Sequence, residues 1–181
     1  MTPTLVIGLP RSRTFWTARW LGADHDVSIY HDLPSLDRMF GTPGYCAVDT
    51  VLGSVWRGAV ERWPSLRLIV VRRPVDDVVA SFARAGVSGP AFEAMLRGYA
   101  PAFDDPQLHA RADMVCSFDD LNRFEVCRQM AVLCRSRSPG YDEWSTLAAQ
   151  NLQCEIKPAL LRAADPEGHT VQTLRALGAA A

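Results

Sequence analysis

Residues 4–16 read TLVIGLPRSRTFW. The apolar run Leu5-Val6-Ile7 lies within a segment, Thr4–Gly8, that has the length and branching of a short buried strand. Thr14–Leu21 then carries a helical pattern opened by a hydroxyl residue, a suitable helix start. Between them lies a loop with Pro10, two arginines and two hydroxyl residues. A loop that joins a strand to a helix N-terminus presents unpaired backbone N–H groups, and the helix dipole favours an anion there. Arg11 would add a full charge, and Ser12 and Thr14 would add donors. An ordinary turn with a Ser or Thr helix cap uses the same residue types, so the loop alone leaves both readings open.

Further along, strand-like and helix-like patterns alternate. Asp26–Tyr30 reads as a second strand, followed by a loop rich in turn residues from Asp32 to Gly44. Tyr45–Asp49 reads as a third strand. Val51, Leu52, Val55, Trp56, Ala59 and Trp63 recur at helical spacing and stop before Pro64. Leu66–Arg72, apolar through LIVV, is the strongest strand pattern of the chain. Behind Pro74, a proline suited to a first helical turn, Val75, Val78, Val79 and Phe82 fall on one helical face. Pro90–Phe103 reads as a helix and Met114–Ser117 as a fifth strand. SFDDL then starts a helix that runs to about Cys134, with Asp119 and Asp120 at its cap, and one or two helices are expected after Gly140.

Strands separated by helices predict parallel pairing with right-handed crossovers. The expected fold is therefore a three-layer α/β sandwich around a mostly parallel sheet of about five strands, with P-loop-like topology. In such sheets ligands bind beyond the carboxyl ends of the strands. Gly8 and Arg72 both end strands, so LPRSRT and RRPVDD should converge on one edge.

Composition bounds the reading. At 181 residues, 48% hydrophobic and 22% charged, the chain is expected to form a single domain over 1–181 with a sizeable core. The net charge of −1 points away from nucleic acid or an anionic membrane as the main partner. Of the 19 lysines and arginines only Lys157 is a lysine. Guanidinium groups suit bidentate phosphate or sulfate contacts, and any lysine-dependent site is confined to Lys157. The five cysteines, Cys46, Cys116, Cys127, Cys134 and Cys154, lack CxxC spacing and read as reduced core thiols. No apolar run approaches the ~20 residues of a membrane span, and the first residues read as a strand instead of a signal peptide. A cytoplasmic protein is expected, and oligomeric state is not readable.

A Walker A loop, GxxxxGK[ST], places its lysine on the phosphates and its hydroxyl on magnesium. The positions around Arg13 and Thr14 supply neither glycine nor lysine. CAVDT, ending a strand at Asp49, could hold magnesium or could cap the helix that follows Val51; the cap is preferred, and no metal site is assigned.

GLPRSRTFW resembles the 5′-phosphosulfate loop, close to P-[KR]-S-G-T-x-W, of sulfotransferases that use 3′-phosphoadenosine 5′-phosphosulfate (PAPS). LIVVRRPVDDVVASF is similar to the second motif of that family, V-R-[DN]-P and a helix bearing a serine, and VCSFDDL to its later strand and acidic turn. The three motifs occur in family order over about residues 4–123.

The resemblance implies PAPS as donor, no metal, and sulfonate transfer to an unidentified hydroxyl or amine on a small molecule or glycan. It places Arg11 on the transferring sulfonate, with Pro10, Ser12, Arg13 and Thr14 around the phosphosulfate. Trp16 stands where a ring can stack on adenine. Arg72 or Arg73, with Ser81, would hold the 3′-phosphate: the proline register favours Arg72, the arginine-to-serine spacing Arg73. Arg13 replaces the loop glycine, which puts close backbone approach in question. The basic C-terminal segment of the family has no clear counterpart. An acceptor hydroxyl would need a base, and His31, just past the expected second strand, is the candidate; Asp32 and Asp49 are weaker ones. A degenerate P-loop kinase or hydrolase, and a non-catalytic nucleotide-binding scaffold, are the competing readings.

Overall fold

The computed structural model describes residues 2–134, 140–150 and 169–178. Lys157 and Cys154, with much of the tail expected to be helical, lie outside them. Five strands form one sheet: β1 (Thr4–Gly8), β2 (Asp24–His25), β3 (Cys46–Asp49), β4 (Arg67–Arg72) and β5 (Met114–Ser117). Their order is β2-β3-β1-β4-β5, and all four pairings are parallel. This is the expected three-layer α/β sandwich with P-loop-like topology.

Strand side chains alternate between two cores, as the strand period of two requires. Leu5, Ile7, Ala47, Leu68 and Val70 face one layer. That layer is built from α3 (Leu33–Gly41), α4 (Trp56–Arg62), α5 (Val75–Arg84), α6 (Pro90–Phe103), α7 (Pro106–Arg111) and α10 (His169–Ala176). Val6, Val48, Ile69, Val71 and Cys116 face the other. There α1 (Thr14–Leu21), α8 (Phe124–Cys134) and α9 (Tyr141–Ala148) cover the sheet. Burial on both faces is why β1 and β4 read as continuous apolar runs. Among the described residues four cysteines are free, with Cys116, Cys127 and Cys134 buried. Burial pushes the Cys116 thiol up to about 12 and the Cys127 thiol up to about 11, which makes both poor nucleophiles near neutral pH.

Two expectations in the first third are corrected. Asp26–Tyr30 is not a strand: β2 is the preceding pair Asp24–His25, and Val27–Tyr30 forms a single helical turn, α2. The turn-rich stretch from Asp32 holds helix α3, whose Asp32 carboxylate accepts from the Ser35 N–H at 2.9 Å. Asp–x–Pro there is a helix start and not a loop. The segment after β5 is also broken, into a 3₁₀ turn over Asp119–Asn122 and α8. Asp120 ties that turn to the strand end by accepting from the Ser117 N–H at 2.9 Å. No helix among the described residues is long and apolar enough to cross a membrane.

The connection after β1 runs toward β2, and that after β4 runs toward β5, on the opposite side. The crevice between β1 and β4 is thus the point where the winding reverses, the ligand position in open α/β sheets. Gly8 lies opposite Val71 there. A Cβ on Gly8 would sit 2.9 Å from the Val71 carbonyl oxygen, too close for the pairing to hold its spacing. Gly8→Ala is expected to lower stability by about 1–3 kcal/mol, measured by urea denaturation.

Candidate functional site

The β1–α1 loop and the β4–α5 loop leave the sheet side by side. In the first, Arg11 has φ 67° and Arg13 φ 58°, with Ser12 between them outside the positive-φ region. Such alternation curls the backbone in the manner of an anion nest, with the Ser12 N–H itself spent on the Leu9 carbonyl. Arg13, which caps α1, has ψ 23°. The position where the family loop has glycine therefore keeps a glycine-like backbone despite its side chain.

The guanidinium groups converge. Nε of Arg11 donates to Ser81 Oγ at 3.2 Å, and its guanidinium lies 5.7 Å from the Phe82 ring. Arg73 donates to the Arg11 carbonyl oxygen and stacks 4.1 Å from the Phe118 ring centroid. Arg13 stacks on the same ring at 4.8 Å and donates to Asn122 Oδ1 at 2.7 Å. Burial, then the charges of Arg84, Arg11 and Arg13, lower the pKa of Arg73 against the opposing pull of Asp77. Like charges held together in this way favour a counter-anion beside them.

Of the two arginines left open by the sequence, Arg73 is in this cluster. Arg72 is not: it is exposed at the end of β4 and pairs with Asp104 at 3.2 Å, beyond α6. Placing Arg72 first is thus corrected, because its guanidinium pairs with Asp104 after α6 instead of joining the loop cluster. Trp16 is corrected too. It is buried, stacked on Trp20 with centroids 6.1 Å apart, and donates its indole N–H to the Leu147 carbonyl at 3.1 Å. One helical turn of spacing puts both tryptophans against the sheet, so Trp16 offers no face to a nucleotide. Pro10 is half-buried at the loop's start. Ser12 is wholly buried; its N–H donates to the Leu9 carbonyl at 3.1 Å, and its hydroxyl has no partner among the described residues.

His31 follows α2 instead of ending a strand, and among the described residues it hydrogen-bonds to no part of the loop. The histidine at the sheet edge is His25, the last residue of β2. Its Nε2 lies 3.3 Å from Thr14 Oγ1 and its Nδ1 3.1 Å from Asp26 Oδ2. The ring also meets Phe15 edge-on at 5.6 Å. Burial lowers the pKa of His25, opposed by the charge of Asp49. Asp26 Oδ1 accepts from the N–H and hydroxyl of Thr50, both at 2.9 Å. Burial, then the charge of Asp49, raise the Asp26 carboxyl to about 7, against those two hydrogen bonds. The adjacency of His25 to Asp26 in sequence was the available signal, hidden by the misplaced strand boundary.

Asp49 is fully buried and accepts four donors: the Ser28 N–H and hydroxyl, and the N–H groups of Val51 and Leu52, at 2.8–3.0 Å. These fill the acceptor capacity of a carboxylate. Asp49 is the cap of the turn after β3, as preferred from sequence. In the loop, Thr14 and Phe15 occupy the positions that a Walker A motif gives to lysine and the magnesium hydroxyl.

No family model matches the chain, and no curated protein does. Among solved structures, a gluconokinase from Sinorhizobium meliloti 1021 is similar, with a TM-score of 0.48 and 13% identity over 83% of this chain and 98% of that one. The strand order itself defines a P-loop-like α/β protein, with a cluster of arginines where the β1–α1 and β4–α5 loops meet.

The sign of the Asp26 shift sets a pH dependence. A carboxyl raised on folding binds a proton that the unfolded chain has released, so its contribution is present below about 4. It is lost as pH rises toward about 7. Asp26→Asn removes that titration. Its melting temperature, taken relative to the wild type, is expected to climb by several degrees across this window in a pH series of melts.

Proposed function

We propose that this chain binds PAPS and transfers its sulfonate to a hydroxyl or amine acceptor. The observation that carries the reading is the convergence of Arg11, Arg13 and Arg73 with Ser81 at the β1–β4 crevice. A nucleotide with anionic groups at both ends suits a site that is positive along its length. The nest and Arg11 would take the phosphosulfate end, and Arg73 with Ser81 the 3′-phosphate, as the sulfotransferase resemblance assigns them.

Sulfonate transfer resembles phosphoryl transfer in that positioning and electrostatics carry most of the catalysis, with nucleophile and leaving group in line. Guanidinium and backbone donors aimed at the bridging and sulfonate oxygens stabilise the charge that develops on the departing phosphate. A donor of this kind is worth roughly 3–4 kcal/mol.

A phosphoryl-transfer reading, with the loop serving a kinase or hydrolase, has one observation in its favour. Two carboxylates, Asp26 and Asp49, follow or end adjacent strands on the side of Thr14. Against it, Asp49 is saturated by four protein donors, and Thr14 and Phe15 replace the lysine and magnesium hydroxyl.

Thermal melting with ligands separates the readings. Adenosine 3′,5′-bisphosphate without magnesium is expected to stabilise the protein, by ~2.7 kcal/mol at a hundredfold excess over Kd. Arg73→Ala should abolish the shift and Arg72→Ala should leave most of it. A shift given only by ATP with magnesium selects the kinase or hydrolase, and no shift with either selects the scaffold.

A further inference from the structure

The hydroxyl of Thr14, the imidazole of His25 and the carboxylate of Asp26 form a chain that starts inside the anion loop and ends in the protein. We propose that His25 is the proton acceptor for the attacking group, and that Asp26 is the positioning residue that fixes its ring and tautomer. The proposal rests on the transfer reading above and adds to it the residues that move the proton.

Geometry orders the two ring nitrogens. Nδ1 faces the Asp26 carboxylate at 3.1 Å, so with Asp26 ionised this nitrogen carries the hydrogen and Nε2 holds the lone pair. Nε2 meets Thr14 Oγ1 at 3.3 Å, beyond the usual span of a side-chain hydrogen bond. That loose contact leaves the lone pair open to a stronger donor arriving beside the loop. Asp26 cannot swing away: Thr50 holds its other oxygen through two donors. Its backbone is also fixed, with φ 51° and an N–H donated to the Val48 carbonyl at 2.7 Å. Nucleophile side, base and orienting carboxylate thus follow the general logic of an activated hydroxyl.

The step balances without a further reagent. The acceptor oxygen forms a bond to the sulfur of PAPS while the bridging S–O bond breaks. The electron pair of that bond stays on the 5′-phosphate, and the acceptor's proton passes to His25 Nε2. The products are the sulfate ester, adenosine 3′,5′-bisphosphate and an imidazolium paired with Asp26, which later releases the proton to solvent.

The groups that face His25 define its pH response. Asp26 adjoins it in sequence, Asp49 acts from β3, and α1 contributes the neutral Thr14 and Phe15. Because Asp26 titrates at about 7, the productive tautomer is populated above that pH.

Three measurements on the full chain test this. Nitrogen-15 NMR of the wild-type imidazole at pH 8 is expected to show His25 protonated at Nδ1; an Nε2–H ring overturns the assignment. Transfer of labelled sulfonate from PAPS to water, giving sulfate, and to 2-naphthol, giving its sulfate ester, is expected to rise with pH through about 7. It should fall ~100-fold or more in kcat in His25→Ala, with KM for PAPS little changed and with partial rescue by added imidazole. Asp26→Asn should lose ~10-fold and the rise near neutrality. Unchanged turnover in His25→Ala, or turnover in wild type without rescue of that variant by imidazole, overturns the role. Calorimetry with adenosine 3′,5′-bisphosphate keeps the two readings apart. Binding without sulfonate transfer overturns the proton-acceptor role and leaves donor binding standing. Absence of binding sinks the donor reading, and with it the role of His25 in this transfer.

Discussion

The parallel pairing of β1 with β4 is the constraint from which the site follows. Gly8 lies opposite Val71, so the two strands end level and both following loops leave the same edge. Only a residue without a Cβ fits at that crossing, because the Val71 carbonyl would lie 2.9 Å from one. The consequence is electrostatic. Two short turns, each bearing arginines, are forced together, and Arg73 comes to donate to the backbone of the other turn. The hydrogen-bond partners of Arg13 and Arg73 here are neutral, an amide oxygen and a carbonyl. Burial first, and then the neighbouring guanidinium groups, lower the pKa of Arg73 against the pull of Asp77. Folding bears the cost of that crowding, and an anion in the crevice would offset it.

Arg13 shows how a departure from a motif can preserve its geometry. A left-handed backbone costs a non-glycine residue roughly 1–2 kcal/mol, and here it is held by side-chain contacts that glycine could not make. The Arg13 guanidinium reaches Asn122 and the Phe118 ring, both near the turn after β5. That turn is fixed in its place by Asp120 and Ser117. The loop is thus braced from the far edge of the sheet, and the same ring that braces Arg13 stacks with Arg73. The substitution adds charge to the site while keeping the curl of the loop.

What was legible in the sequence was whatever repeats. The apolar runs of β1 and β4 and the helical faces of α1, α5 and α6 stood out because each is several residues of one periodicity. β2 has only two residues, too few to show any, and α3 was concealed by the Asp, Pro and Ser that cap and start it. One error in a boundary then propagated into the site. With the second strand set at Asp26–Tyr30, the histidine just past its end is His31; with it at Asp24–His25, the edge histidine is His25. Arg73 and Ser81 lay in the family spacing, whereas Arg72 was favoured by the proline register, and the partners each side chain finds decide between them. Trp16 could not be assigned by pattern, since a helix presents the same residue to core or ligand depending on a rotation that only packing sets.

Asp49 connects the scaffold to the chemistry. A strand-end aspartate in a P-loop-like sheet invites a metal, yet its four donors come from the turn after β3 and from Ser28 in α2. By gripping both, it locks α2 against β3 and so fixes the segment that carries His25 and Asp26. Its charge also acts on each of them, raising the pKa of both. For His25 this works against burial; for Asp26 it adds to burial. With Asp49 committed as a buried cap, the positive charge at the β1–β4 crevice comes from the arginines, while the His25–Asp26 pair stands at the end of the edge strand β2, held there by the same carboxylate through Ser28.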